Sequence, residues 1–139
     1  MRESFEIIEH PADVGFLAYG ATREELFANA ALAMMTLACD PQRITERESR
    51  AIEITGADLE SLLFGWLAEI LAIADAEHVF FCRAEVRSLE PQSVRGVVFG
   101  EKYDKQRHAA GTYIKAVTYH QLMIEQTAEG WRARVYLDV

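Results

Sequence analysis

Cysteine, basic residues and long apolar runs are all scarce in this 139-residue chain, and each scarcity excludes something. The two cysteines, Cys39 and Cys82, stand far apart in apolar surroundings and read as buried free thiols in a cytosolic protein, not as a disulfide. Lys plus Arg total 14 against 22 for Asp plus Glu, a net charge of −8. Stable nucleic-acid binding draws mainly on Lys and Arg at phosphates, so this balance argues against it. It suits a protein partner, a metal ion or solubility. No apolar run reaches the length of a transmembrane helix, and the start MRESFEIIEHPAD lacks the pattern of a signal peptide. GxSxG, P-loop, GxGxxG, HExxH and paired CxxC motifs are missing as well. That weakens the case for a standard hydrolase, nucleotide-binding fold or zinc enzyme.

What is present is enough apolar sequence for one core, half of all residues, and a length that suits a single domain over 1–139. Strand-like runs occupy Ser4 to Glu9 and Val14 to Tyr19, with Pro11 making EHPAD a loop that presents His10 and Asp13. Thr22 and Glu25 form a capping-box pattern at the start of a helix from Thr22 to Leu37, which Asp40-Pro41 ends. Gln42 to Arg50 is charged and reads as solvated; Ala51 to Thr55 alternates as a strand. Asp58 caps a second helix from Leu59 to about Ala74, with Leu62, Leu63, Trp66, Leu67 and Ile70 on one face. Beyond His78 the pattern is β: Val79 to Leu89, Val94 to Phe99, Thr112 to Glu125 and Trp131 to Val139, with Glu129-Gly130 as a hairpin turn. These elements predict an α+β domain of two layers, two main helices packed on a largely antiparallel or mixed sheet.

Two constellations carry chemistry. Asp13 and Asp138 each border an apolar strand, where a carboxylate needs a partner. Together with the oxygens of Val139 they offer the hard ligands that Ca²⁺, Mg²⁺ or Mn²⁺ take, although two surface aspartates would read the same way. Glu101, Asp104 and His108 form a second cluster, with Asp104 and His108 one helical turn apart, suited to a metal, to acid–base chemistry or simply to a solvated loop. Between them, strand parity in the run after Tyr113 places Lys115 on one face and His120 on the other, among Ile114, Ala116 and Leu122. On that parity Lys115 belongs to the polar face and His120 to the core.

Six blocks, HPADVGFLAYG, ELFANAALAM, GADLESLLFGWLAEIL, GEKYDKQRH, IKAVTYH and GWRARVYLDV, together resemble the archease family in order and spacing. The resemblance implies a small cytoplasmic protein that is not itself an enzyme. It implies a cofactor of the RtcB-type tRNA-splicing RNA ligase, one that promotes GTP-dependent guanylylation and multiple turnover. It also implies a divalent-metal site at Asp13, Asp138 and Val139, calcium foremost, and a functional requirement for Lys115. Pro11 departs from the small residue that many relatives carry there. Two other readings compete: a metal-dependent phosphoester hydrolase using Glu101, Asp104 and His108, and a chaperone-like interaction module.

Overall fold

The computed structural model describes residues 4–10 and 13–139, and the side chains of these except at positions 9 and 10. Among the described residues, two α-helices and eight strands follow one another in chain order. They are β1 (Phe5–His10), β2 (Asp13–Gly20), α1 (Arg23–Ala38), β3 (Glu48–Thr55), α2 (Leu59–Glu77), β4 (Val79–Glu90), β5 (Ser93–Lys102), β6 (Ala116–Val117), β7 (Met123–Thr127) and β8 (Gly130–Asp138). The expected loop at EHPAD lies partly outside the described residues, and the register pairs His10 directly with Asp13.

The sheet expected from sequence is in fact two sheets, antiparallel in every pairing among the described residues. One runs β3-β5-β4. The other runs β1-β2-β8-β6, with β7 also joined to β8. Both helices lie against strands of both sheets, so one core is shared among all layers.

Local chemistry starts and stops the helices where the sequence indicates. Thr22 Oγ1 accepts the Glu25 N–H (3.1 Å), and Glu25 turns back to accept the Ala21 N–H (3.2 Å). Asp58 accepts the Ser61 N–H (2.8 Å) while Ser61 Oγ accepts the Asp58 N–H (3.1 Å), a reciprocal cap for α2. The buried faces are Leu26, Phe27, Ala30, Ala31 and Met34 on α1, and Leu62, Leu63, Trp66, Leu67 and Ile70 on α2. Trp66 is fully buried, and its indole N–H donates to the Phe27 carbonyl at 3.0 Å, tying the helices together through a polar atom that would otherwise be stranded. Cys39 is buried and Cys82 half-buried, both free, and burial pushes both thiols up.

Two expectations need correction. Thr112 to Glu125 is not one strand. Only Ala116–Val117 pairs with β8 before the chain turns through Gln121 at φ 52°, and pairing resumes at Met123. The strand ends at Val117 and His120 lies inside the turn that the Leu122 N–H closes on the Tyr119 carbonyl (3.1 Å), so alternation does not extend to it. His120 is accordingly exposed rather than in the core, its ring beside Tyr136 at 5.7 Å. The charged run Gln42 to Arg50 is not merely solvated either: Pro41–Arg43 forms a 3-10 turn, Ile44 is buried and β3 begins at Glu48.

Candidate functional site

Strand register assembles the first constellation. β2 and β8 pair antiparallel with Asp13 opposite Asp138, so the two carboxylates leave the same face of the sheet at its end. On the other side of β8, Ala116 pairs with Asp138, and the Lys115 N–H donates to the Asp138 carbonyl at 2.8 Å. One further step along that register brings Lys115 alongside Val139. The HPAD segment, the KAVTY segment and the chain end thus converge, though the first and last are separated by nearly the whole sequence. Asp138 and Lys115 are exposed, whereas Asp13 is half-buried with its Oδ1 shielded from solvent.

Two like charges directly opposite each other in a sheet repel. Asp13 and Asp138 therefore carry a local cost that a cation would remove, and their oxygens are of the hard type that suits Ca²⁺, Mg²⁺ or Mn²⁺. Among the described residues no three His, Cys, Asp or Glu side chains gather to hold a metal. A cation here would draw on these two carboxylates and a backbone oxygen of Val139.

The second constellation also assembles, but as a closed node. Glu101 is 3% exposed and His108 2%. The Glu101 carboxylate accepts from the Thr45 N–H (2.7 Å), Arg47 Nε (3.1 Å), Arg107 Nη1 (2.8 Å) and Nη2 (2.9 Å), and His108 Nε2 (3.0 Å). His108 Nδ1 accepts the Asp104 N–H (3.0 Å), which leaves Nε2 as the proton-bearing nitrogen. Asp104 is exposed and serves the turn, its carboxylate accepting the Gln106 N–H at 2.9 Å. Burial alone would raise the Glu101 pKa. The Thr45 N–H, His108 and Arg107 outweigh it and hold the carboxyl at about 2. A carboxylate so fully engaged is an anchor, not an open ligand or a base.

That anchor fastens an irregular strap, residues 103–115, which runs from β5 to β6. The Gly111 and Thr112 N–H groups donate to the Ala38 and Leu37 carbonyls at the end of α1 (2.8 and 2.9 Å). A Cβ on Gly111 would sit 2.5 Å from the Leu37 carbonyl oxygen, so the close approach needs glycine. The strap delivers Lys115 to Asp138. Sequence reasoning missed the anchoring roles of Thr45, Arg47 and Arg107; the one signal was Ile44, an apolar residue isolated in a charged run.

Comparison with known proteins agrees with this architecture. The model of the Archease protein family matches residues 5–139. The chain belongs to the archease family. It is 42% identical to the protein archease of Methanosarcina mazei, over 99% of this chain and 97% of that one. With the protein archease of Sulfurisphaera tokodaii it shares 35% identity, over 99% of each. Its fold matches the solution structure of Methanobacterium thermoautotrophicum protein 1598 with a TM-score of 0.83 at 36% identity, covering 98% of this chain and 99% of that one. A Thermotoga maritima crystal structure described as an archease, possible chaperone, matches with a TM-score of 0.64 at 21% identity, over 100% and 98%, a likeness of fold alone. No helix among the described residues of this family member is long and apolar enough to cross a membrane.

Proposed function

We propose that this protein is a cytoplasmic, non-catalytic activator of an RtcB-type RNA ligase, working through the sheet end that carries Asp13, Asp138 and Lys115. The observation that carries the reading is the direct opposition of Asp13 and Asp138 with the Lys115 strand alongside. Family membership supplies the context, and a net charge of −8 suits docking against a partner with a basic substrate channel.

In this mechanism the two aspartates present a paired carboxylate face to the nucleotide site of the ligase. A divalent cation, calcium foremost, would be held by Asp13, Asp138 and an oxygen of Val139, and would supply local positive charge. Asp13, half-buried on β2, fixes the spacing of the pair. Asp138 and Lys115, both exposed, reach the partner. The Lys115 ammonium either orders the carboxylates or contacts a phosphate, in both cases helping GTP to be positioned for attack by the nucleophile of the ligase. The strap keeps Lys115 in register through the hydrogen bond from its backbone N–H to the Asp138 carbonyl.

The test uses limiting ligase with GTP, Mn²⁺ and RNA, with and without this protein. Stimulated turnover that is lost with Asp13→Ala and Asp138→Ala supports the proposal; no stimulation, or full stimulation by both variants, refutes it. The hydrolase reading loses one of its two carboxylates, because Glu101 is saturated by five donors, and its histidine is buried against that same group. A chaperone-like role, the description given to the Thermotoga protein, predicts instead that aggregation of unrelated clients is suppressed regardless of Asp13.

A further inference from the structure

Away from the aspartate pair, two depressions of opposite character share one wall. The first is an apolar groove of about 390 Å³, walled by Leu71, Ala74, Phe80, Tyr103 and Tyr113. That volume falls within the range of small-molecule sites, roughly 300–1,000 Å³. The second, of about 620 Å³, is lined by Arg47, Lys102, Lys105 and Arg107. Tyr103 belongs to both.

Its setting is pre-organised. The Tyr103 N–H donates to the His78 carbonyl at 2.8 Å, its ring meets Phe80 edge-on at 5.5 Å, and it remains 47% exposed. Tyr113, 67% exposed, offers a second aromatic surface in the groove.

The cationic depression also holds three carboxylates, of which Glu101 and Glu48 are paired with arginines and Asp104 serves the turn. Glu101 is buried beneath five donors, Glu48 pairs with Arg50 at 2.8 Å, and Asp104 accepts the Gln106 N–H. Arg47 engages Glu101 through Nε, which leaves its two terminal amino groups for a ligand. Lys105 is exposed and makes no side-chain bond among the described residues. In a chain of net charge −8 this is a local surplus of donors suited to an anion.

A ligand that suits both halves is a flat, stackable ring joined to a phosphate. We infer that the groove and depression around Tyr103 form a binding site for a nucleoside phosphate, its base against Tyr103 and Tyr113 and its phosphate over Arg47 and Lys105. Asp75 and His78, which also line the groove, supply an acceptor and a donor for the edge of the base. No P-loop is needed, because side-chain guanidinium and ammonium groups take the place of a glycine-rich backbone cradle. The site shares no residue with the aspartate pair, although only Ile114 separates Tyr113 from Lys115.

The experiment titrates the isolated protein with GMP, AMP, GTP, a 3′-phosphorylated trinucleotide and inorganic phosphate, following backbone amide shifts by NMR and heat by calorimetry. Expected are saturable shifts over residues 102–113 with nucleotides, and binding of inorganic phosphate at least about tenfold weaker because it fills half the site. Tyr103→Ala and Lys105→Glu should each weaken nucleotide binding about tenfold, the latter more at low salt. Both positions are exposed, and unchanged melting temperatures would show that the variants fold. Saturation by mononucleotides assigns a free nucleotide as ligand; saturation by the trinucleotide alone assigns a strand end. No saturable shift at millimolar ligand, shifts confined to the Asp13–Asp138 end, or indifference to Tyr103→Ala would overturn the inference. Asp13→Ala should leave this binding intact, which separates its outcome from that of the ligase assay.

Discussion

Replacing Glu101 by glutamine tests the anchor of the strap, and its cost can be worked from the structure. The carboxyl sits at about 2, against 4.5 for an ordinary glutamate. At about 1.4 kcal/mol per tenfold change, that gap corresponds to about 3 kcal/mol in favour of the ionised folded state. Breaking a buried ion pair by removing one partner costs roughly 3–5 kcal/mol. Arg47 and Arg107 keep access to water, with side chains 64% and 39% exposed, so the lower end applies. Glu101→Gln should therefore lose about 3 kcal/mol at pH 7. The sign of the pH dependence follows from a folded pKa below the unfolded one. The contribution is complete above about pH 4.5 and is lost as pH falls toward 2. Urea unfolding of both proteins from pH 7 to pH 3 should show a gap that narrows only below about 4.5. Amide exchange at Gly111, Thr112 and Lys115 should accelerate in the variant, because the strap has lost its fastening. A gap under about 0.5 kcal/mol at pH 7, or one that ignores pH, would refute the reasoning.

Other perturbations bear on separate parts of the molecule. Saturating Ca²⁺ at about 100 times its dissociation constant should stabilise the protein by about 2.7 kcal/mol. Asp138→Asn should abolish that increment in a melting experiment, and without metal it should gain a few tenths of a kcal/mol by relieving the opposed charges. Trp66→Phe removes the donor to the Phe27 carbonyl and leaves a void in the core, and should cost about 2–4 kcal/mol in urea unfolding. Asp58→Ala strips the cap of α2, with an expected loss of about 1 kcal/mol.

The sequence made the helices and most strand positions legible because their signals are local. Thr22, Asp58 and the Leu62–Ile70 face each declare themselves within a few residues. The aspartate pair was legible only as two suspects; their opposition depends on a register between β2 and β8 that no local pattern encodes. The strap was illegible for the same reason, since Glu101 finds Thr45 and Arg47 across two strands. His120 was misplaced because the strand stops at Val117 and turns through Tyr119 to Leu122, a break that the continuous alternation of residue types does not reveal.

β8 has a kinetic consequence. It lies between β2 on one side and β6 and β7 on the other, and so closes the five-stranded sheet. Its partner β2 comes from the opposite end of the chain, which makes the pairing among the least local contacts the molecule can form. Such contacts carry a high loop-closure entropy and slow folding. Until β8 arrives, the hairpin of β1 and β2 presents an open edge that another chain can occupy. The same insertion that brings Asp138 opposite Asp13 also removes that hazard. A chain competent in its candidate site is thus one whose β2 edge has already been sealed.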